Sequence, residues 1–319
     1  MLEEPANTLV LFHRAPDGDA VGSAFALRHL LTGLGSRVWC VCGEELPERL
    51  TFLAGGLQES VLPSSIPQDF EIQRIISVDS ASPAQLGELW ELYGDRVDLM
   101  IDHHGMGEVY ADNYIRPDCA ATGEIIFDLI KEAANEEKCE ITDDVCVDLY
   151  AAISSDTGCF RYSNVTPETH LRASELVASG IDCALVNQKM FEQKTLEQLR
   201  AQAAGISNLH LFADGKIAVV LFPYALKAAL GLEEEHLGTL VDVARSLRGV
   251  EVALSIRQPS IEGKFRVSVR CAGDFDAAAL CAQFDGGGHK KAAGCTVIAE
   301  SVEEAMNKIL SAMNFPQDN

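Results

Sequence analysis

The chain has 319 residues, a formal net charge of −23 and 47% hydrophobic residues. That length exceeds what a single core usually serves and points to two domains, and the apolar content excludes a disordered chain. The negative charge argues against long duplex nucleic acid as a partner, which needs a broad basic surface.

The elements follow in chain order. Thr8-Leu9-Val10-Leu11-Phe12 reads as a strand ending at His13. Gly22 to Thr32 has helical spacing, and Val38 to Cys42 is the next strand. Arg74 to Asp79 and Val97 to Asp102 are two further strands, each closing on an Asp. Ala120 to Ala134 and Asp143 to Ile153 read as helices, the second running into Ser154-Ser155-Asp156. Thr166-Pro167-Glu168 is a helix start, with an N-cap and Pro at the first position. Ala184 to Ser207 is polar and Gln-rich, and reads as one helical connector. Strands alternating with helices imply a doubly wound, mainly parallel α/β sheet. In such sheets ligands bind beyond the carboxyl ends of the strands.

The second half opens with a hairpin, 209–213 and 217–222, around Asp214-Gly215. Helical stretches at 224–230 and 237–247 follow, then paired strands at 250–257 and 264–271. A helix at 275–284, a Gly-rich loop at 285–294, a strand at 295–299 and a helix at 302–313 close the chain. The expected organisation is a catalytic domain over 1–183, a helical linker over 184–208 and a smaller α/β domain over 209–319.

No apolar run reaches the ~18–20 residues of a membrane span. Met1-Leu2-Glu3-Glu4-Pro5 lacks a basic export signal, so a cytoplasmic protein without a membrane partner is expected. Only Cys40 and Cys42 lie close together among the ten cysteines, and all ten are expected to be reduced and structural.

Chemistry-bearing residues collect at the predicted strand and helix ends: His13, Asp17, Asp19, Asp79, Asp102, His103, His104 and Asp156. Side chains at i and i+2 of an extended segment share a face, which would aim Asp17 and Asp19 at one point. Each residue alone has an ordinary structural reading, since an Asp after a strand is commonly an N-cap or turn residue. The combination is harder to explain by packing. Clustered carboxylates repel one another unless cations lie among them, and this number of acids suggests two divalent ions. Two metals ~3.5–4 Å apart clamp the attacking and leaving oxygens of a phosphoryl displacement. Imidazole mixed with carboxylate favours Mn2+ over Mg2+ or Ca2+.

A second signal lies at Gly286-Gly287-Gly288-His289-Lys290-Lys291. Residues 245–291 carry eight Lys or Arg against five Asp or Glu, a local +3 on a chain whose remainder is −26. Such a patch suits a small anion. Bare backbone beside cationic side chains allows close contact with phosphate, although the spacing is neither a Walker loop nor a dinucleotide fingerprint. Arg266 and Arg270 alternate on one strand face and could reach the same anion. Arg161 is a further phosphate-contact candidate, and its neighbour Phe160 reads as core or as a base-stacking ring.

In order, His13-Arg14-Ala15-Pro16-Asp17-Gly18-Asp19, Ser77-Val78-Asp79, Asp102-His103-His104 and Ser155-Asp156-Thr157-Gly158 match four motifs of one family. The chain resembles the DHH phosphoesterases, and Gly286-Gly287-Gly288-His289 with Ala292-Ala293-Gly294 resembles their associated C-terminal domain. The stretch from Phe160 to Thr169 is similar to the nanoRNases, which cleave very short RNA and also remove phosphate from 3′-phosphoadenosine 5′-phosphate. The resemblance implies His13 and Asp17 on one Mn2+, and Asp19, His103 and Asp156 on the other. It implies Asp79 between the ions, Asp102 as support, and His104 on the scissile phosphate. Arg161, Arg270, Gly286, Gly287, Gly288, His289 and Lys290 would grip the substrate. The expected activity is hydrolysis of short 5′-phosphorylated oligoribonucleotides to mononucleotides. Alternative readings are a cyclic or linear dinucleotide phosphodiesterase and a non-catalytic nucleotide sensor. A homodimer is left open.

Overall fold

The computed structural model describes residues 1–54, 58 and 60–313, without the side chains of Ala54 and His289. They form two compact units, the first spanning Met1–Gln193 and the second beginning at Lys194. Among the described residues no helix is long and apolar enough to cross a membrane.

The first unit runs β1 (Asn7–Phe12), α1 (Gly18–Gly33), β2 (Arg37–Val41), β3 (Arg74–Val78), α2 (Pro83–Leu86), α3 (Glu88–Tyr93), β4 (Leu99–Asp102), β5 (Asp112–Ile115), α4 (Thr122–Asn135), α5 (Asp143–Asp156), α6 (Pro167–Ala178) and α7 (Cys183–Asn187). Its five strands lie in the order β2-β1-β3-β4-β5, and every pair is parallel. Parallel strands covered on both faces are continuous apolar runs, and β1 shows why. Val10 and Phe12 enter the core under α1, α4 and α5, while Leu9 and Leu11 enter the opposite layer with Leu86 and Leu89. Consecutive residues of a strand face opposite sides, so both layers draw on the same run. The strand order reverses direction between β1 and β3, the switch point where doubly wound sheets open a crevice for ligands.

Helix α1 begins at Gly18, one turn before the Gly22 expected from periodicity. Its residues from Gly18 to Leu27 are all buried, so the first turns carry no amphipathic pattern to read. Gly22 lets α5 approach closely: a Cβ there would lie 2.3 Å from the Asp148 carbonyl oxygen.

The expected continuous helix over 184–207 is broken. Helix α7 passes into a π-turn at Gln188–Glu192 and ends at an extended Gln193. A second helix, α8 (Leu196–Ser207), restarts with Thr195 and Gln198 as a reciprocal cap. That cap is the local reason the two helices do not merge.

After α8 the second unit runs β6 (Leu209–Phe212), β7 (Ile217–Phe222), α9 (Tyr224–Ala229), α10 (Leu240–Arg245), β8 (Val252–Arg257), β9 (Lys264–Cys271), α11 (Ala277–Ala282), β10 (Gly287–His289), β11 (Ala292–Ile298) and α12 (Val302–Ala312). The sheet order is β10-β11-β9-β8-β7-β6, with only β7 and β8 parallel. The predicted hairpin at Asp214-Gly215 and the β8–β9 pair are present. The expected helix over 237–247 is instead a short 3-10 turn at Glu234–Leu237 followed by α10.

The stretch expected as a Gly-rich loop is a hairpin. Gly287 and Gly288 pair with Gly294 and Ala293 across β10 and β11. Gly288 has a φ of +134°, and a Cβ there would meet the Ala292 carbonyl oxygen at 2.6 Å. At Gly286 a Cβ would lie 2.4 Å from that of Cys295. These two glycines are thus required by strand packing, whatever the stretch binds.

Candidate metal centre

The carboxyl ends of β1, β3 and β4 and the start of α1 converge with the end of α5. Three groups of side chains have ligand atoms mutually within 4.8 Å: His13, Asp17 and Asp79; Asp19, His103 and Asp156; and Asp79, Asp102, His103 and His104. All eight acids and imidazoles expected from the sequence are brought together, and Asp79 is shared by two groups.

The first correction concerns Asp17 and Asp19. They do not lie on one extended segment. Asp17 is the N-cap of α1, and its Oδ1 accepts from the Asp19 and Ala20 amides at 3.0 and 3.1 Å. Asp19 lies inside the first turn and is fully buried. A cap followed by a helical residue points the two carboxylates to different places. Asp17 joins His13, and Asp19 joins His103 and Asp156.

The histidine rings are oriented from behind. His13 Nδ1 lies 2.9 Å from the Arg14 carbonyl oxygen. A carbonyl can only accept, so Nδ1 carries the proton and Nε2 faces Asp79 Oδ2 at 3.6 Å and Asp17 Oδ1 at 3.8 Å. His103 repeats the arrangement, with Nδ1 towards the Cys119 carbonyl and Nε2 3.1 Å from Asp156 Oδ2. Metal-binding histidines are characteristically held this way through the second nitrogen. His104 differs: its Nδ1 and its backbone amide both donate to Asp102 Oδ1, at 2.6 and 3.0 Å. Asp102 therefore holds His104, and its own Oδ2 is buried with no hydrogen-bond partner among the described residues.

Asp79 follows β3 with a φ of +51°. Its amide donates to the Ile101 carbonyl at 3.0 Å, and its carboxylate lies 3.7 Å from both His103 Nε2 and His104 Nδ1. A non-glycine residue held in this region is strained, and such strain collects at functional sites.

The electrostatics show a site built for cations. Burial pushes the Asp19 carboxyl well above its ordinary range, and the charges of Asp79 and Asp156 add to the effect. Burial likewise raises Asp156, to about 6, against the pull of His103. Burial also opposes ionisation of Asp79, but the His13 hydrogen bond and the neighbouring imidazoles outweigh it and hold Asp79 low. His103 moves up to about 11 despite burial, because Asp156, Asp19 and Asp79 surround it. In the protein alone, protons on imidazoles and carboxyls relieve the repulsion. A divalent cation would relieve it more completely, and the mixed carboxylate–imidazole donor set fits such an ion.

The other predicted site residues fall in two places. Arg161 is exposed and follows Asp156 through Gly158, Cys159 and Phe160, three consecutive residues with positive φ. Its Nε donates to the Gly158 carbonyl. Phe160 stacks on His170 at 5.5 Å and packs against Tyr150, which is a core role. Arg270 belongs to the second unit, half-buried on β9 and paired in register with Ala292. Gly286 precedes β10, Gly287 and Gly288 lie on it, and Lys290 is exposed in its turn. The side chain of His289 lies outside the described residues. Arg266 is exposed on the same face as Arg270, near Glu234.

The sequence reading missed the residues that hold the ligands. Asp19 Oδ1 accepts from Ser23 Oγ at 3.0 Å and the Gly123 amide at 2.8 Å; its Oδ2 accepts from the Thr122 amide at 2.7 Å. Thr122 Oγ1 donates to Asp79 Oδ1 at 3.0 Å. Two backbone donors leave no side-chain signature. The only visible signal was the beginning of the helix expected over 120–134, which in the structure starts at Thr122.

Comparison with known proteins identifies the two domains. Residues 7–153 match the DHH family N-terminal domain, and residues 216–314 match the DHHA1 domain. The chain belongs to the DHH family. It is 29% identical, over 94% of its own length and 87% of the relative's, to a bifunctional oligoribonuclease and PAP phosphatase NrnA of Thermus thermophilus. It is 23% identical to the cyclic-di-AMP phosphodiesterase PdeA of Listeria monocytogenes, covering 98% of this chain but 48% of that one. An exopolyphosphatase-related protein from Bacteroides fragilis has the same DHH fold, with a TM-score of 0.87, 24% identity, and coverage of 98% of this chain and 93% of that one.

Proposed function

We propose that this DHH chain is a metal-dependent hydrolase of short 5′-phosphorylated oligoribonucleotides, releasing mononucleotides and also removing phosphate from 3′-phosphoadenosine 5′-phosphate. The observation that carries the reading is the pair of ligand groups His13, Asp17, Asp79 and Asp19, His103, Asp156, with Asp79 facing His13 in one and His103 in the other, in a chain similar over almost its whole length to an oligoribonuclease and PAP phosphatase. In this reading His13 and Asp17 hold one divalent ion, Asp19, His103 and Asp156 hold the other, and Asp79 serves both. Mn2+ is the proposed ion, because imidazole shares the donor set with carboxylate. When bound, such a pair supplies positive charge at the phosphoryl group and activates water.

The chain's own residues do the rest. Asp102 fixes the ring of His104, and burial, which alone would discourage protonation, is outweighed by Asp102 and Asp79, so His104 holds a proton above its ordinary range. A protonated His104 would donate to an oxygen of the scissile phosphate and offset the charge that grows there. Arg270, Lys290 and the backbone of Gly286 to Gly288 would bind a terminal phosphate, and Arg161 would contact another.

The PdeA likeness favours one competing reading, turnover of a cyclic dinucleotide, although that relative is about twice as long as this chain. The two readings separate on substrate. Initial rates with Mn2+ on a 5′-phosphorylated diribonucleotide, on 3′-phosphoadenosine 5′-phosphate and on cyclic diadenylate should favour the first two. Higher kcat/KM on the cyclic dinucleotide would replace the proposal with the alternative.

A further inference from the structure

Thr122 is fully buried at the first position of α4 and touches two carboxylates that belong to different ligand groups. Its hydroxyl donates to Asp79 Oδ1 at 3.0 Å, and its amide donates to Asp19 Oδ2 at 2.7 Å. The next amide, of Gly123, donates to Asp19 Oδ1 at 2.8 Å. Gly123 can make that approach because a Cβ there would lie 2.5 Å from the Ala152 side chain on α5. Both oxygens of Asp19 are thereby engaged by the first turn of a 14-residue helix, where N–H groups lack partners inside the helix. The same turn reaches across to Asp79, which sits on strained backbone.

We propose that Thr122 is a positioning residue for the metal centre: through its hydroxyl and its amide it sets the Asp79 and Asp19 carboxylates relative to each other, and so sets the separation at which two divalent ions are held. This rests on the reading above that these carboxylates bind metal. The hydroxyl is the separable part. Thr122→Val keeps the β-branched shape and both amides, and removes only the donor to Asp79. Thr122→Ser restores the donor and removes only a methyl group. Partners of this kind, behind a metal ligand, commonly change metal affinity by ~10–100-fold when removed.

The experiment is calorimetric titration of the full chain with Mn2+, alongside kcat and KM for a 5′-phosphorylated diribonucleotide and melting of the metal-free proteins. Thr122→Val should lose about tenfold or more in Mn2+ affinity for at least one site, and kcat should fall while KM stays near the parent value. Thr122→Ser should regain most of both. Wild-type Mn2+ affinity in Thr122→Val overturns the proposal, as does equal impairment of Val and Ser, since Ser keeps the hydroxyl that the proposal relies on. If Thr122→Val does not fold, Thr122→Ala takes its place under the same criteria. A parent protein that binds Mn2+ but does not turn over the dinucleotide removes the proposed substrate; Thr122 is then judged on the titration alone.

Discussion

Much of the site meets at Asp79, which faces His13, His103 and His104 at once and takes the Thr122 hydroxyl. Asp79→Asn keeps the volume and the hydrogen bond from Thr122 but removes the charge shared by two ligand groups. Turnover of a 5′-phosphorylated dinucleotide should fall at least about a hundredfold, more than the usual loss of a supporting residue; a fall under tenfold would refute the central place given to Asp79. The eight acids and imidazoles were legible in the sequence because each stands at a strand or helix end. Thr122 was not, since half of what it does is done by its amide. Asp148 is another buried acid, on α5 and apart from the ligand groups. Burial, with the charge of Asp144, pushes its carboxyl well above the ordinary range. The folded protein therefore keeps this proton to higher pH than the unfolded chain, and stability is lost as pH rises from the unfolded value through the folded one. Asp148→Asn should melt higher than the parent at pH 8, with the difference shrinking towards pH 4. The opposite trend in paired melting curves would contradict it.

At the scale of elements, α1 and the β10–β11 hairpin show where sequence patterns stop being informative. Helix α1 is buried on all sides over its first turns, so apolar periodicity places its start too late, and Asp17 looks like a loop residue when it is a cap. The glycines at 286–288 look like a phosphate loop, yet two of the three are needed by the hairpin. That distinction can be measured. Gly288→Ala forces a Cβ onto a φ of +134° and against Ala292 and Ala293, and should destabilise the second unit by ~1–3 kcal/mol in urea unfolding. Gly287→Ala has nothing within 4 Å of the new Cβ and should leave stability within ~0.5 kcal/mol. Equal effects of the two would undo the packing explanation. A selective loss of dinucleotide affinity in Gly287→Ala would support the role proposed for that backbone. The parallel strands of the first unit were readable because burial on both faces makes them continuous apolar runs. Strand β5 is largely exposed and polar, Asp112-Asn113-Tyr114-Ile115, and carries no such run.

For the whole molecule, length anticipated the two compact units. The chain carries −23 overall, with several of its carboxylates concentrated in one buried cluster. Divalent metal should therefore stabilise the fold as well as complete the site. At a free concentration of 100 times Kd the expected gain is ~2.7 kcal/mol, so a chelator should lower Tm by several degrees and added Mn2+ should restore it. Unchanged melting would mean that the cluster holds no metal in solution. The acidic surface and the confined basic segment at 245–291 predict that substrate is held at a short grip and not along a track. The direct test is product analysis on 5′-phosphorylated RNA of two to ten nucleotides, with Mn2+ and with Mg2+. Mononucleotide release with kcat/KM highest for the shortest substrates, and no turnover without metal, is the predicted result. A kcat/KM that climbs with length, or no metal-dependent cleavage of the dinucleotide, would contradict it.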